Sequence, residues 1–313
     1  MKQRAMFFLC ATLAIPAAAH AQKPAWQPAP GHITVNLWPG KAPGAPTSLP
    51  PEVDTTSAKD KLIAGRPLIR LGNVATPTLT VYSPKGRNTG AAVVVFPGGG
   101  YKILAIDLEG TEVCDWLNAE GITCILVKYR VPDTGPYPKS PAALQDAQRA
   151  LGLVREHAAE WHIDPHRVGV LGFSAGGHLS AAISTHYEQR LYPPVDAADA
   201  LSCRPDFAVV LYPGYLANAE KGMAPNPEIH PTADTPPTFL LQAEDDPVHV
   251  ENVINYFMAL KSAGVPAELH VYAEGGHGYG LRRTALPITT WPQSVITWLH
   301  TIRVLQADAK GGR

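Results

Sequence analysis

One serine stands in a pattern that could make it a nucleophile. Ser174 lies within Gly172-Phe-Ser-Ala-Gly176, which matches G-x-S-x-G. The run Val168 to Leu171 is typical of a short buried strand, and the small and apolar residues from Gly177 to Ser184 are typical of a helix packed on a sheet. A strand, a sharp turn and a helix are the context in which such a serine becomes exposed for catalysis. We predict that Ser174 is a nucleophile; the alternative is a glycine-rich turn that carries an idle serine.

A serine nucleophile requires a general base, and the base requires a carboxylate that orients it. Both residue types occur later in the chain, each directly after a predicted strand. His277 is the predicted base, because the glycines that flank it would let its ring approach Ser174. Of the three acidic residues at positions 244 to 246, Asp246 is the preferred orienting carboxylate. Asp245 is the alternative, because a shift of one residue is easily made in such a prediction.

Acyl transfer passes through a tetrahedral intermediate whose negative oxygen can be bound by backbone N–H groups. Three glycines, Gly98 to Gly100, follow a predicted strand, so the backbone there can come close to a substrate carbonyl. No Gly-Lys-Ser/Thr follows them, which excludes a phosphate-binding P-loop. The predicted oxyanion hole consists of the N–H groups of Gly99, Gly100 and Ala175. Weaker candidates for contact with substrate are Tyr101, Glu109 and Tyr279.

The rest of the chain supplies a sheet that could position these residues. From the third predicted strand onward, helical patterns alternate with strands. This alternation predicts a three-layer α/β fold with a mostly parallel eight-stranded sheet, in which the nucleophile follows the fifth strand. The predicted strands are His32–Leu37, Thr78–Tyr82, Ala91–Phe96, Ile122–Tyr129, Val168–Leu171, Phe207–Tyr212, Thr238–Gln242 and Glu268–Tyr272.

Helices are predicted between most of these strands, and Ser140 is the predicted N-cap of the longest one. Two stretches, Tyr187–Pro205 and Pro213–Pro237, are rich in proline, alanine and charged residues, which favours loops or a minimal cap over a cap domain. Without internal repeats or a second core, residues 22–313 are predicted to form a single domain. The predicted helices are Thr111–Glu120, Ser140–Trp161, Gly177–Ser184, Glu251–Ala263 and Gln293–Val304.

The first 21 residues have the composition of a secretory signal peptide. Lys2 and Arg4 precede an apolar run, Met6–Ile15, and Ala19-His-Ala21 is a cleavage pattern, so the mature protein should begin at Gln22 and be periplasmic or secreted. The apolar run is too short to span a membrane. Loss of the leader changes the formal net charge from −1 to −3, which offers no basic surface for nucleic acid or anionic lipid.

Three cysteines remain in the mature chain, namely Cys114, Cys124 and Cys203. An odd number leaves at least one free thiol even in an oxidising compartment. Cys114 and Cys124 could form a disulfide, but we expect all three to be buried free thiols that act as small apolar residues. Their spacing does not suggest a metal site.

Six short motifs follow one another along the chain: Pro97-Gly-Gly-Gly-Tyr101, Ala105–Gly110, Tyr129-Arg-Val-Pro132, Gln145–Ala150, Gly172–His178 and Gly275–Gly278. Together they resemble one branch of the α/β hydrolases, the bacterial acetyl-xylan and feruloyl esterases, near the hormone-sensitive-lipase-like and dienelactone-hydrolase-like enzymes. The resemblance covers about residues 37–299 and implies a Ser-Asp-His esterase without a cofactor, which supports Asp246 and His277 at the matching positions. Pro97 departs from the pattern, because many lipase-like relatives have histidine there.

We therefore expect an exported ester hydrolase that removes small acyl groups, above all acetyl, from plant cell-wall carbohydrate such as xylan. A feruloyl or general short-acyl esterase is the alternative. A peptidase is less favoured, because related peptidases usually carry a propeller or a larger cap, for which the chain leaves no room. A catalytically inactive binding module would lack a member of the triad, and all three residues are present.

Overall fold

The structure, a computed structural model, describes residues 25–46, 48–133 and 140–306. The predicted signal peptide, residues 1–21, lies outside this part of the chain. In chain order the strands are β1 (Ile33–Asn36), β2 (Val53–Asp54), β3 (Arg70–Gly72), β4 (Thr78–Tyr82), β5 (Ala92–Phe96), β6 (Ile103–Ala105), β7 (Thr123–Lys128), β8 (Val168–Phe173), β9 (Ala208–Leu211), β10 (Ala217–Asn218), β11 (Ala224–Pro225), β12 (Thr238–Ala243) and β13 (Ala267–Tyr272). The α-helices are α1 (Glu112–Ala119), α2 (Pro141–Glu156), α3 (Ala175–Thr185), α4 (Glu251–Ser262) and α5 (Trp291–Thr301).

An eight-stranded sheet with the strand order β1-β4-β7-β5-β8-β9-β12-β13 forms the middle layer. The pairings β1–β4 and β4–β7 are antiparallel, and the five pairings from β7 to β13 are parallel. The central strands β5, β7, β8 and β12 are buried along their whole length, as their continuous apolar sequences require. The predicted three-layer α/β fold with a mostly parallel sheet is therefore confirmed.

All eight strands of this sheet were predicted, with ends that differ by two residues at most. The long helix was predicted less well. Helix α2 ends at Glu156 instead of Trp161, and the side chain of Ser140 does not cap it. Ser140 has a left-handed backbone and donates its hydroxyl to the carbonyl of Asp133, whereas the Asp133 carboxylate accepts the N–H of Ala143. The predicted N-cap position of Ser140 is confirmed, but the oxygen that caps the helix comes from Asp133 and not from the serine side chain.

A small antiparallel sheet, β2-β3-β6, was not predicted. Its strands have only two or three residues, which is too short for a periodic pattern. Strand β6 follows the three glycines directly and pairs with β3, with Arg70 opposite Ala105 and Gly72 opposite Ile103. The buried Arg282 fixes the loop that precedes β3, since its guanidinium donates to three carbonyls between positions 63 and 67. The N-terminal part of the chain thus lies beside the glycine loop.

The two irregular stretches lie entirely within the described residues, and neither contains an α-helix. The first, residues 187–205, has one short 3-10 helix, Ala197–Ala200, and is attached to α2 by ion pairs from Arg149 to Asp196 and Asp199. The second, residues 213–237, has only the β10–β11 ladder and a 3-10 turn. The prediction of loops in place of a cap domain is confirmed. No helix in the described part of the chain is long and apolar enough to cross a membrane.

Cys114 of α1 and Cys124 of β7 form a disulfide, so the expectation of free thiols was wrong for this pair. Both residues are fully buried where α1 packs against β7. The reversal of the chain after α1 brings the inner face of the helix onto the strand, and only this packing makes the two sulfurs neighbours. Cys203 is a buried free cysteine, as expected.

Replacement of Cys114 and Cys124 together by alanine should lower the free energy of unfolding. The cost is about 2 to 3 kcal/mol, since the unfolded chain is no longer restricted by a closed loop, with a separation of 10 residues between the cysteines. Urea unfolding without reductant measures this difference. Added reductant should destabilise the wild type and leave the double variant unchanged. Equal effects of reductant on both proteins would contradict the pairing.

Candidate active site

The predicted nucleophile lies in the sharp turn between β8 and α3. Ser174 has φ +53° and ψ −116°, a backbone conformation that side-chain-bearing residues rarely adopt. Two glycines make the turn possible. A Cβ at Gly172 would lie 1.9 Å from the carbonyl oxygen of Gly176, and a Cβ at Gly176 would lie 2.0 Å from that of Phe96. The predicted strand, turn and helix are all present, and no larger residue fits at either glycine without backbone movement.

The structure brings together the three side chains predicted to form a triad. Ser174 Oγ lies 2.9 Å from His277 Nε2, and His277 Nδ1 lies 2.9 Å from Asp246 Oδ2. Asp246 is buried, and its carboxylate also accepts the N–H of Val248 and the side-chain amide of Gln242. A carboxylate at Nδ1 favours the tautomer with its proton there, which leaves Nε2 free to accept the serine proton.

Asp245, the alternative orienting acid, has a different position. Its Oδ1 accepts the N–H groups of Gly275 at 2.9 Å and Gly276 at 2.7 Å. Asp245 thereby holds the loop in which His277 stands, while Asp246 alone of the two contacts the imidazole. The geometry favours Asp246 as the orienting carboxylate.

The N–H groups predicted to form the oxyanion hole lie beside the nucleophile. Gly99 and Gly100 line the same cavity as Ser174, and Ala175 follows Ser174 directly. Gly99 has φ +136°, and a Cβ there would lie 2.0 Å from the carbonyl oxygen of Ile103, so only glycine fits this turn. Among the described residues, none accepts a hydrogen bond from these three N–H groups. Their role in binding an oxyanion stays a prediction.

A cavity of about 340 Å³ reaches Ser174 and His277. One wall is apolar, and two cationic side chains, Lys61 and Arg70, complete the lining on the side of the small sheet. Sequence reasoning missed this side of the site, because residues 61–70 have no recognisable pattern and reach the cavity only through the pairing of β3 with β6. The apolar wall consists of Ile63, Leu68, Ile103, Ala105 and Leu108.

Two of the weaker candidates for substrate contact are buried aromatic residues. Tyr101 is 1% exposed, and its hydroxyl lies 2.7 Å from Nδ1 of the buried His178. Tyr279 is 6% exposed and packs edge-on against Tyr212, with ring centroids 4.6 Å apart. Neither ring belongs to the cavity lining described above, and contact of either residue with substrate stays a prediction.

Glu109, the third candidate, does line the cavity, but its carboxylate is already occupied. Oε2 accepts the N–H of Gly98 at 2.7 Å, and Oε1 accepts the hydroxyl of Tyr212 at 2.8 Å. Burial raises the pKa of the Glu109 carboxyl, although both hydrogen bonds act in the opposite direction. The carboxylate therefore contacts the protein backbone and a tyrosine where a substrate contact was expected.

Comparisons with known proteins agree with this geometry. A family profile described as the alpha/beta hydrolase fold matches residues 93–230. The chain is 31% identical over 245 residues to an acetylxylan esterase of Xylanibacter ruminicola, an alignment that covers 71% of this chain and 48% of that protein. It is 30% identical over 232 residues to carboxylesterase NlhH of Mycobacterium tuberculosis, covering 65% of this chain and 70% of that protein.

The fold is also similar to solved structures. An acetyl ester-xyloside bifunctional hydrolase from Caldicellulosiruptor lactoaceticus has a TM-score of 0.68 and 33% sequence identity, covering 87% of this chain and 97% of that chain. Among the sequence relatives, an endo-1,4-beta-xylanase B of Butyrivibrio fibrisolvens is 28% identical over 204 residues, covering 59% of this chain. The chain spans 48% of the length of the acetylxylan esterase and 32% of that of the xylanase.

Substitutions at the two neighbouring aspartates should have very different effects on ester hydrolysis. Asp246→Asn should lower kcat by about 10⁴-fold, because the imidazole loses the carboxylate that fixes its tautomer. Asp245→Ala should lower kcat by about 10- to 100-fold, because it only loosens the histidine loop. Turnover of 4-nitrophenyl acetate measures both, and Asp245→Asn, which keeps an oxygen acceptor, is the matched control. A larger loss for Asp245→Ala than for Asp246→Asn would reverse the assignment.

Proposed function

The chain belongs to the α/β-hydrolase family, and from that membership we propose that it is a serine carboxylesterase that removes small acyl groups, above all acetyl, from plant cell-wall carbohydrate such as xylan. The observation that carries the ester-hydrolase part is the hydrogen-bonded series from Ser174 through His277 to Asp246, with both distances at 2.9 Å. The choice of an acetylated sugar rests on the similarity to the acetylxylan esterase and to the acetyl ester-xyloside hydrolase.

The reaction follows from the positions of these groups. Ser174 Oγ attacks the ester carbonyl while His277 Nε2 accepts its proton, and Asp246 stabilises the resulting imidazolium. The negative oxygen of the tetrahedral intermediate would be bound by the predicted N–H donors, each worth on the order of 3 kcal/mol. His277 then returns the proton to the leaving alcohol, which produces an acyl-enzyme and free sugar. A water molecule activated by His277 releases the acid and restores Ser174.

The surroundings of the serine support a small acyl group and a large alcohol. The cavity of about 340 Å³ has an apolar wall suited to a short acyl chain. The loops 187–205 and 213–237, which follow α3 and β9, contain no α-helix among their residues, all of which are described. Loops without a helical cap favour a bulky, polymeric alcohol over a small one.

A general short-chain carboxylesterase is the second candidate. The chain covers 70% of carboxylesterase NlhH, and it is 28% identical over 218 residues to an ethyl acetate hydrolase of Pseudomonas putida. Such an enzyme would use the same three side chains and differ only in the alcohol that it accepts. Activity on sugar esters therefore has to be compared with activity on simple esters.

We also propose that the enzyme is exported and that its mature chain begins at Gln22. The charged, apolar and small residues of the first 21 positions support this proposal. The Cys114–Cys124 disulfide supports it too, because disulfides persist in oxidising compartments and are rare in the cytosol. Mass spectrometry of protein from periplasm or medium should give an N-terminus at Gln22. A full-length chain confined to the cytoplasm would contradict export.

Acetate release distinguishes the two candidate functions. The mature protein should release acetate from acetylated xylan and acetylated xylo-oligosaccharides, and Ser174→Ala should lose this activity by several orders of magnitude, on the order of 10⁶-fold in kcat. Acetate is quantified by a coupled enzymatic assay, with 4-nitrophenyl acetate as the reference ester. Turnover of the reference ester alone would support the serine esterase activity and contradict the proposal of a sugar substrate. Release of ferulate but not acetate would identify an aromatic acyl group.

A further inference from the structure

The triad leaves one buried carboxylate beside the site without a role. Glu109 is 3% exposed and stands in a π-helical turn, Asp107–Thr111, between β6 and α1. Turns of this kind are rare and frequently occur at functional sites. A buried charge costs free energy unless hydrogen bonds compensate it, so its partners indicate what it is for.

One partner of Glu109 belongs to the oxyanion loop. The N–H of Gly98 donates to Glu109 Oε2, so it is already occupied and is not one of the predicted oxyanion donors. Gly98 is also enclosed between this carboxylate and the nucleophile, since a Cβ there would lie 2.6 Å from Glu109 Oε2 and 2.9 Å from Ser174 Cβ. The hydrogen bond fixes the Pro97–Gly98 peptide, which precedes Gly99 and Gly100, whose N–H groups are the predicted oxyanion donors. Glu109 is therefore one of the contacts that hold the loop carrying these donors.

The other partner belongs to the histidine side of the site. Tyr212, directly after β9, donates its hydroxyl to Glu109 Oε1 and accepts the N–H of Gly280 at 3.1 Å. Its ring lies against that of His277, with centroids 5.0 Å apart and planes inclined by 68°. Burial, followed by the charge of Glu109, raises the pKa of Tyr212 well above its ordinary value, so the hydroxyl keeps the proton that it donates. Tyr212 therefore holds the histidine loop at two points.

We propose that Glu109 and Tyr212 form a positioning pair that couples the oxyanion loop to the histidine loop. The pair would keep the oxyanion donors and the imidazole in one fixed arrangement around Ser174 during acyl transfer. It takes no part in bond making or proton transfer and acts through the N–H groups of Gly98 and Gly280 and through the packing of the Tyr212 ring on His277. This inference rests on the proposed esterase function.

The chemistry of the pair requires the ionised carboxylate. Both partners of Glu109 are hydrogen-bond donors, so a carboxylate accepts a bond from each of them. A glutamine amide in the same place would accept only one of these bonds, because its NH2 group would face the other donor. Burial raises the pKa of Glu109; the hydrogen bonds of Tyr212 and Gly98 and the charge of His277 lower it, and Asp107 raises it. The phenols of Tyr129 and Tyr279 also interact with this carboxyl.

Because the pKa of Glu109 is raised, a positioning role of its carboxylate can be tested separately from a contribution to stability. With a raised pKa, the native state holds the Glu109 proton more tightly than the unfolded chain does. Stability therefore falls as the pH rises from the pKa of Glu109 in the unfolded chain through its raised pKa in the folded protein, so ionisation of Glu109 costs free energy of folding. Removal of the negative charge by a neutral residue of the same shape should therefore not by itself lower the stability of the fold. It should nevertheless slow the reaction if the carboxylate positions the two loops.

The test uses Glu109→Gln, Tyr212→Phe and the double variant. Three quantities are measured for each protein: kcat and KM for 4-nitrophenyl acetate, the inhibition constant of an alkyl boronate that forms a tetrahedral adduct on Ser174, and the thermal unfolding midpoint. Each single variant should lose on the order of 10- to 100-fold in kcat with little change in KM, because misplaced groups affect the transition state. Boronate affinity should fall in parallel. The double variant should be no slower than the slower single variant, because one coupled unit is removed.

Tyr256→Phe, which removes a buried hydroxyl on α4, is the matched control and should behave as the wild type. Wild-type kcat and boronate affinity in both single variants would overturn the inference while leaving the esterase function intact. A rate loss that multiplies in the double variant would also overturn it. Absence of ester turnover in the wild type would overturn the proposed function and this inference with it.

Discussion

The close approach of backbone at the carboxyl ends of β5 and β8 is the constraint on which the site depends. Gly176 lies so near the carbonyl of Phe96 that a Cβ would be 2.0 Å from its oxygen. The same turn holds Ser174 at φ +53°, and its N–H donates to the carbonyl of Leu211 at the end of β9. Three adjacent parallel strands therefore determine the place of one hydroxyl. A strained residue can persist here because buried strands on both sides leave its backbone no alternative.

The remaining functional groups lie at the same edge of the sheet. The glycine loop follows β5, Asp246 follows β12 and His277 follows β13, and the carboxyl ends of these parallel strands meet on one side. Loops at such an edge need their own supports. Asp245 holds the loop of His277 through two N–H groups, and Arg282 anchors the loop before β3 through three carbonyls. The exposed Asp245 and the buried Arg282 thus hold backbone in place, whereas Asp246 belongs to the triad.

The sequence predicts what depends on local pattern. Continuous apolar runs predict the central strands and alternating patterns predict edge strands such as β1, whereas the glycines around Ser174, together with the order serine, acid, histidine, predict the members of the triad. Contacts between distant segments were not predictable. Glu109 was expected to meet substrate, but its partners Gly98 and Tyr212 are up to 103 residues away and no local signal links them. Strands β2, β3 and β6 are too short for a pattern, and the Cys114–Cys124 pairing depends on how α1 packs on β7.

The most direct test of Ser174 as a nucleophile activated by His277 is covalent labelling with an alkyl phosphonate. Intact mass and peptide mapping would be recorded for the wild type and for His277→Ala. One adduct on Ser174 is expected in the wild type, formed about 10³-fold or more faster than in His277→Ala, because the imidazole removes the serine proton. An unlabelled wild type, an adduct on another serine, or equal rates in both proteins would contradict the assignment of Ser174 and His277.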